Sequence, residues 1–350
     1  MHLKIITVDN SSQNTYTDLY KNHSDSLKCE CSQLSIVYND FINITSSMHQ
    51  ICTSEFILPN WYNRFLRVNL SIFSVDSTYG HISSSYFSLL ALFCILANNT
   101  IIDSLRVFDA TQFINNEVLP LWQFYEETQL LIDTFTNTIL SEFTRTFALV
   151  RNATTVNHFV TGSNSNERIL VKSDGHVSMS SGTLVLLDYE YLYRSNQFCS
   201  CTGHTSNCAV PVRLYTNLSL LFYNPPGLFV GCLQTDSVLL STLECWFDQS
   251  CVNLVRQSLI WPSVRHMFNI MSMNISLPSR FKPKTPMNEL MDQLLLEKWI
   301  INISYDKFYH SCVPRVCIYT LEERYDIVFI LFTVIGIYGS LSKGLRILLS

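Results

Sequence analysis

Apolar residues along the chain are concentrated in a few long runs, and the longest lies near the C-terminus. Sixteen uncharged and mostly apolar residues extend from Ile327 to Ser342. A helix needs about 20 residues to cross a hydrocarbon core, and the apolar tail continues beyond Lys343 and Arg346, whose long side chains can snorkel to the interface. The pattern predicts a transmembrane helix at 325–348, with a buried helix of a soluble domain as the alternative.

Further apolar runs predict helices within the soluble part. Residues 86–97 form a twelve-residue apolar run that is too short to span a bilayer and predicts a core helix. From Pro120 to Val150 apolar residues recur at helical spacing, and we interpret the aromatic residues among them as core packing in preference to a ligand face. A last soluble helix is predicted after Thr285 as cap and Pro286 in the first turn. Its apolar stripe is Met287, Leu290, Met291, Leu294 and Leu295.

Between these helices the pattern changes to β-branched and aromatic residues. Residues 183–193 and 212–223 predict strands, and Asn224-Pro-Pro-Gly227 predicts a turn. Residues 234–247 then predict a helix that carries Cys245.

These elements predict an α+β fold, a mainly helical and disulfide-rich ectodomain with a few β-strands and a C-terminal transmembrane helix. From the N-terminus, the sequence predicts a flexible polar segment at 1–28, a helical part at 29–160, a Ser/Asn/Gly-rich linker at 161–182, a cysteine-rich mixed part at 183–320 and the transmembrane helix at 325–348.

Composition narrows the class of protein. The 350 residues are 47% hydrophobic and carry a net charge of −5 without a Lys/Arg cluster, which argues against a nucleic-acid partner. The even number of cysteines predicts up to six disulfides in an oxidising compartment. The cysteines are Cys29, Cys31, Cys52, Cys94, Cys199, Cys201, Cys208, Cys232, Cys245, Cys251, Cys312 and Cys317. Because a bond between residues i and i+2 is strained, Cys29 and Cys31 are expected to have different partners.

Asn-x-Ser/Thr sequons support the same compartment. They occur at Asn10, Asn22, Asn43, Asn69, Asn98, Asn152, Asn217, Asn274 and Asn302, all before the terminal apolar run. Lys343 and Arg346 follow that run while acidic residues precede it, so the positive-inside rule predicts residues 1–324 outside the cell and the C-terminus in the cytoplasm. The first eight residues hold too few apolar positions for a signal peptide, which favours a truncated start.

Motifs for catalysis are missing from the sequence. We find no Gly-x-Ser-x-Gly, His-Glu-x-x-His, phosphate-binding or dinucleotide-binding pattern, so we expect neither enzymatic activity nor a cofactor. The spacing Cys199-x-Cys201-x2-His204-x3-Cys208 holds ligands that zinc accepts, but disulfides are the favoured interpretation and no metal is predicted.

The terminal apolar run contains a small-residue pattern at Gly336, Gly339, Ser340 and Ser342. Small residues let a second membrane helix approach closely, which favours association into a homo-oligomer. The alternative is a pore lined by Gly339, Ser340 and Ser342, since carbonyls and hydroxyls can replace the hydration shell of an ion.

Several short motifs together resemble an uncharacterised family of cysteine-rich membrane proteins predicted from rotifer genomes. The motifs are Cys29-x-Cys31, His49-Gln-Ile-Cys52, Pro226 to Cys232, Ser241 to Asn253, Trp299 to Lys307 and Cys312 to Thr320. The resemblance runs from about Cys29 to the end, implies a second apolar helix before the ectodomain, and brings no established activity. More distantly, two spans around a cysteine-rich ectodomain resemble the architecture of degenerin and acid-sensing sodium channels.

The expected function is extracellular recognition or a structural role at the cell surface, with a membrane and an unknown extracellular ligand as partners. The alternative is a subunit of an oligomeric degenerin-like cation channel. A membrane-bound ectoenzyme is the third hypothesis, which a cleft with converging ionisable groups would favour.

Overall fold

A computed structural model describes residues 2–63, 78–156, 168–171, 177–180, 210–212, 214–215, 222–231, 234–259, 270–323 and 327–348. Helices and strands both occur throughout these residues, so the α+β class is confirmed. The helices are α1 (Gln13–His23), α2 (Pro59–Tyr62), α3 (Thr78–Ala110), α4 (Leu121–Val156), α5 (Gln234–Leu240), α6 (Gln249–Leu259), α7 (Met287–Asp292), α8 (Tyr305–Cys312) and α9 (Ile327–Leu348).

The strands are mostly short and pair antiparallel where their register is defined. They are β1 (His2–Asp9), β2 (Lys28–Cys31), β3 (Ser35–Val37), β4 (Ile42–Met48), β5 (Gln112–Ile114), β6 (Arg168–Val171), β7 (Val177–Ser180), β8 (Val210–Pro211), β9 (Leu214–Tyr215), β10 (Phe222–Tyr223), β11 (Phe229–Val230), β12 (Leu296–Ile303) and β13 (Pro314–Glu323). The sheet orders are β1-β13-β2, β3-β5, β4-β12, β6-β7, β8-β11 and β9-β10.

The chain divides into two compact units, and each unit is made of separate stretches. Unit 1 consists of Met1–Asn43, Val107–Ile132 and Asn302–Ser350, and unit 2 consists of Ile44–Arg106 and Asp133–Ile301. The predicted linker at 161–182 lies largely outside the described residues.

Unit 1 is built on the three-stranded sheet β1-β13-β2. The register of β1 against β13 runs from His2 opposite Glu323 to Asp9 opposite Val316. The N-terminal segment 1–28, predicted to be flexible, therefore forms a strand followed by α1. That prediction was wrong because it weighed polar composition alone, whereas backbone hydrogen bonds to β13 order the segment.

Two disulfides in unit 1 join β2 to the last residue of α8 and to β13. Cys29 bonds to Cys317 and Cys31 bonds to Cys312. We call this pair of bonds the disulfide clamp. The expectation that Cys29 and Cys31 have different partners is confirmed: both lie on the buried face of β2, two residues apart, and each is opposite a different part of the chain, Cys29 opposite Cys317 and Cys31 opposite Pro314.

A cluster of aromatic rings forms the core of unit 1. Phe124 of α4 packs against Phe41 at 5.7 Å and against Phe308 of α8 at 4.7 Å between ring centroids. Tyr305 and Tyr16 tie this core to the backbone, since their hydroxyls donate to the carbonyls of Leu119 and Val118. Burial raises the pKa of both tyrosines, so both stay protonated donors at neutral pH.

The core of unit 2 surrounds Trp246, which is fully buried. Its ring lies 5.2 Å from that of Phe56 and 5.1 Å from that of Phe87. The disulfides Cys52–Cys94 and Cys245–Cys251 border the same core. Burial also raises the pKa of Tyr86, whose ring lies 6.5 Å from that of Trp246, to about 12.

Helix α3 is much longer than the predicted core helix at 86–97. Its segment Ser83–Ala110 is long and apolar enough to cross a membrane, a test that a soluble core helix also passes. In the described structure 44% of its most apolar window is buried inside the protein, and Cys94 on this helix is disulfide-bonded. The inward residues Phe87, Leu90 and Ala97 are fully buried, which favours the predicted core role.

Two predicted helices are shorter than expected. The helix at 234–247 stops at Leu240 and is followed by a separate 3-10 turn at Glu244–Phe247. The last soluble helix covers only Met287–Asp292, and its predicted apolar stripe is fully buried. Leu294 and Leu295 adopt positive φ angles, which end the helix and lead directly into β12.

The predicted cap and turn near these helices have different outcomes. Thr285 does not cap α7; its hydroxyl accepts from the Lys282 backbone N–H instead. The turn at 224–227 is confirmed, since Gly227 has φ +74°, and an added Cβ there would lie 1.9 Å from the Thr242 hydroxyl oxygen.

Candidate functional site

Helix α9 follows β13, and it differs from the other long helices that the structure describes because its side chains are exposed on all sides. All its residues from Leu331 to Gly344 are exposed, including Phe332, Ile335 and Tyr338, the last with 78% exposure. A helix is confirmed at 327–348, within the predicted 325–348, but among the described residues only Ser83–Ala110 is long and apolar enough to cross a membrane, so a membrane around α9 stays a prediction. A water-exposed stripe of this size is rare in soluble proteins, because burying each such side chain is worth about 1.5–3 kcal/mol.

Small residues interrupt this apolar surface. A Cβ added at Gly336 or Gly339 would meet nothing within 4 Å among the described residues. The hydroxyls of Ser340 and Ser342 donate to the carbonyls of Ile337 and Gly339, three residues earlier in the same helix. All four predicted small residues therefore lie on an open helix surface.

A second candidate site is a groove in unit 2, which we call the α3–α4 groove. It has a volume of about 540 Å³ and apolar walls. Phe93 and Phe143 are buried in the wall of the groove, whereas Leu92 and Leu96 are partly exposed along it. Phe93 contacts Phe147 of α4 edge to face at 5.7 Å, which joins the two helices.

Six of the fifteen lining residues of the groove are polar: Thr100, Ser104, Glu142, Thr146, Arg151 and Thr235. Arg151 donates from Nε and Nη2 to one carboxylate oxygen of Asp236, at 3.1 and 2.8 Å. Thr100 donates its hydroxyl to the Leu96 carbonyl one turn back in α3. Both side chains thus already have partners inside the protein. The arrangement offers an apolar surface rather than a set of acids and bases.

A buried histidine lies elsewhere in unit 2. Nδ1 of His49 accepts from the Ile51 backbone N–H, and Nε2 lies 3.8 Å from a carboxylate oxygen of Glu297. Burial lowers the pKa of His49, and the Glu297 carboxylate opposes part of that change. Glu297 also accepts from the Ser279 hydroxyl and the Arg280 backbone N–H, so its charge is well satisfied. We interpret the histidine as structural.

The cysteine predictions are confirmed for the residues that the structure describes. Eight cysteines form four disulfides, in agreement with an oxidising compartment. Cys199, Cys201, Cys208 and Cys232 lie outside the described residues, and so does the Cys3His spacing around His204.

The sequons lie on the surface wherever they can be placed. Their asparagines are exposed at Asn10, Asn22, Asn43, Asn98, Asn152, Asn274 and Asn302. An exposed asparagine leaves room for a bulky glycan in the folded protein, but the glycans themselves stay a prediction. Asn69 and Asn217 lie outside the described residues.

The α3–α4 groove was not predicted from the sequence. The aromatic stripe of α4 was interpreted as core packing, and Phe143 and Phe147 indeed pack in the core while also lining the groove. The signal that was missed is that α3 carries apolar residues on two faces. Phe93 and Ala97 are buried, whereas Leu92 and Leu96 are exposed. A helix with apolar residues on more than one face has more than one packing partner.

Within the described ranges, no group of three His, Cys, Asp or Glu side chains is placed to hold a metal ion. No protein-family model, curated protein or solved structure matches this chain.

Proposed function

We propose that the protein is a membrane-anchored recognition module whose helix α9 crosses the membrane and whose preceding, disulfide-stabilised residues lie outside the cell. The observation that carries this proposal is the continuous exposure of the apolar side chains of α9. In a bilayer these side chains face lipid, and every backbone group within the helix is satisfied internally. The four disulfides support an oxidising compartment for the rest of the chain.

The sequence and the junction with unit 1 support the same topology. Glu322 and Glu323 end β13 before α9, and Lys343 and Arg346 lie near its other end, as the positive-inside rule requires for a cytoplasmic C-terminus. Within the disulfide clamp the Cys29–Cys317 bond joins β13 to β2, so the strand that leads into α9 is covalently fixed to the rest of unit 1.

Membrane extraction tests the anchor. The full chain is expressed in a eukaryotic cell, and its membranes are washed at alkaline pH. We expect the protein to remain in the membrane and to lose apparent mass when N-glycans are removed. Replacing Leu331 and Ile335 together by Arg should release it, because each charge at the centre of a membrane helix costs about 2.5–3.5 kcal/mol.

The matched control places the same charges on α3. Ile95 and Ile102 are exposed on that helix, and their joint replacement by Arg should leave the protein in the membrane. Release by the α3 variant alone would make α3 the anchor and contradict the proposal. A glycan on Asn98, detected with Asn98→Gln, would independently exclude α3 from the bilayer, since Asn98 lies within Ser83–Ala110.

The small-residue surface of α9 favours a second candidate, a subunit of an oligomeric cation channel. The open space around Gly336 and Gly339 permits close approach of another α9. Replacement of Gly339 by Leu is expected to abolish cross-linked oligomers and any current. Oligomers without current would support helix association and a recognition role, and the absence of both in the parent protein would contradict this candidate.

A further inference from the structure

The α3–α4 groove has the dimensions of a ligand site. Its volume of about 540 Å³ falls within the range of roughly 300–1,000 Å³ that is typical of small-molecule pockets. Along α3 the lining residues recur every three or four positions from Leu89 to Ser104, so they form one stripe on the helix. Fifteen helical steps of 1.5 Å give the groove a length of about 22 Å.

The shape selects an extended and narrow occupant. Spread over about 22 Å, the volume describes a groove that is much longer than it is wide. An extended chain can contact such a groove along its whole length. The contact between Phe93 and Phe147 further limits the depth available to a wide ligand. A single flexible chain fits these dimensions.

The chemistry of the walls selects an apolar chain. Leu92, Leu96 and Val150 expose carbon surface along the opening, above the buried side chains of Phe143 and Leu239. Among the polar lining groups, Thr100 and Arg151 are engaged by the Leu96 carbonyl and the Asp236 carboxylate, and Glu142 is exposed to water. A ligand therefore gains chiefly by removing carbon surface from water, at about 0.8 kcal/mol for each buried methylene.

We propose that the α3–α4 groove binds one unbranched acyl chain of a single-chain lipid, with the lipid headgroup left in water at the opening. A free fatty acid and a lysophospholipid both supply this chain. The site lies wholly within unit 2, and the proposal stands whether or not α9 crosses a membrane.

Photolabelling of the full chain in phosphatidylcholine nanodiscs tests the proposal. The probe is a sixteen-carbon fatty acid with a diazirine in its chain, and labelled residues are identified by peptide mass spectrometry. We expect labels on Leu92, Leu96 and Val150. Labels on α9 report separately whether that helix lies in lipid, so a failure of the membrane anchor and a failure of the groove are distinguished.

A pair of neighbouring variants supplies the control. Leu96 lines the groove and is 41% exposed, whereas Ile95 does not line it and is 54% exposed. Leu96→Arg should reduce groove labelling at least about tenfold. The guanidinium group stays hydrated, so it brings water into the groove, and the apolar probe no longer gains by leaving water. Ile95→Arg should change labelling less than about twofold. If Leu96→Arg fails to fold, as judged by circular dichroism, Val150→Trp fills the same groove from α4.

Competition between lipids shows which kind of lipid supplies the acyl chain. Displacement by both palmitate and lysophosphatidylcholine supports recognition of the chain alone, and displacement by only one of them assigns that lipid. The proposal is overturned if neither competitor displaces the probe, if labels fall equally on Ile95 and Leu96, or if both arginine variants weaken labelling to the same extent.

Discussion

Unit 1 and unit 2 are stabilised by the same two devices, disulfides and buried aromatic rings, in different proportions. The disulfides of unit 1 join residues 288 and 281 positions apart, whereas those of unit 2 join residues 42 and 6 positions apart. By the loop-entropy relation, closing the longest loop is worth roughly 5 to 6 kcal/mol and closing the shortest roughly 2 kcal/mol. Cross-links therefore contribute more to unit 1.

The difference follows from how each unit is assembled. The sheet of unit 1 combines strands from the two ends of the described chain, and long-range pairing of this kind carries a high entropic cost. Unit 2 instead buries a larger core around Trp246. The comparison indicates that unit 1 depends on covalent closure and unit 2 on packing.

Removing the disulfide clamp should have the largest effect. Replacing Cys29, Cys31, Cys312 and Cys317 by Ala should cost about 5 kcal/mol or more, a large fraction of the usual 5–15 kcal/mol of a folded protein. Removing one pair should cost much less, because the other pair closes nearly the same loop. Chemical denaturation and the yield of folded protein measure both effects. Replacing Cys245 and Cys251 by Ala is the control, at about 2 kcal/mol; an equal cost would refute the difference between the units.

Truncating the centre of unit 2 should have the next largest effect. Trp246→Ala should lower the free energy of unfolding by about 3–5 kcal/mol, since it leaves a cavity among Phe56, Tyr86 and Phe87. Trp122→Ala removes the same side chain from a site with 61% exposure and should cost less than about 0.5 kcal/mol. Similar costs for the two variants, measured by denaturant titration, would contradict a packing-dependent unit 2.

Acidification should weaken unit 2 through His49. Its pKa lies below the ordinary value of 6.5 in the folded protein, so the unfolded chain binds more protons. The stability contributed by neutral His49 is present above about pH 6.5 and is lost as the pH falls toward the folded pKa. Free energies of unfolding at pH 7.5 and 5.5 measure this loss. In His49→Gln the free energy of unfolding should differ less between the two pH values. An unchanged difference in the variant would assign the pH dependence to other groups.

The smallest predicted effect concerns local structure in unit 1. Ser12 caps α1, and its hydroxyl oxygen accepts from the Thr15 backbone N–H at 3.2 Å. Ser12→Ala should cost about 1 kcal/mol, while Ser12→Asp should retain the stability because it keeps an acceptor. Thermal unfolding measures both. A larger loss in Ser12→Ala than in Trp246→Ala would reverse the ranking of local capping and core packing.

The aromatic stripe of α4 shows what helical spacing in a sequence can predict and what it cannot. Helical spacing correctly located the helix and its core position at Phe143, but Trp122 and Tyr125 on the same predicted stripe are exposed. Spacing fixes which residues share a face, and the neighbouring elements decide which part of that face is covered. The groove illustrates the same limit, because it depends on how α3 and α4 pack rather than on either pattern alone.

Local chemistry determined several features from the sequence alone. The apolar run at 327–342 specified a helix, the positive φ at Gly227 matched the predicted turn, and backbone sterics assigned Cys29 and Cys31 to different partners. Each depends on residues close together in the chain, where steric and periodic rules apply directly.

Only the tertiary structure decided the rest. Three features depend on contacts between distant segments: the strand and helix formed by residues 2–23, the early end of α7 before β12, and the pairing of the β2 cysteines with Cys317 and Cys312. Polar composition predicts flexibility for an isolated segment, yet a strand gains its order from hydrogen bonds that a distant partner supplies. The interactions that stabilise these features join residues far apart in the chain, so they form only in the folded protein.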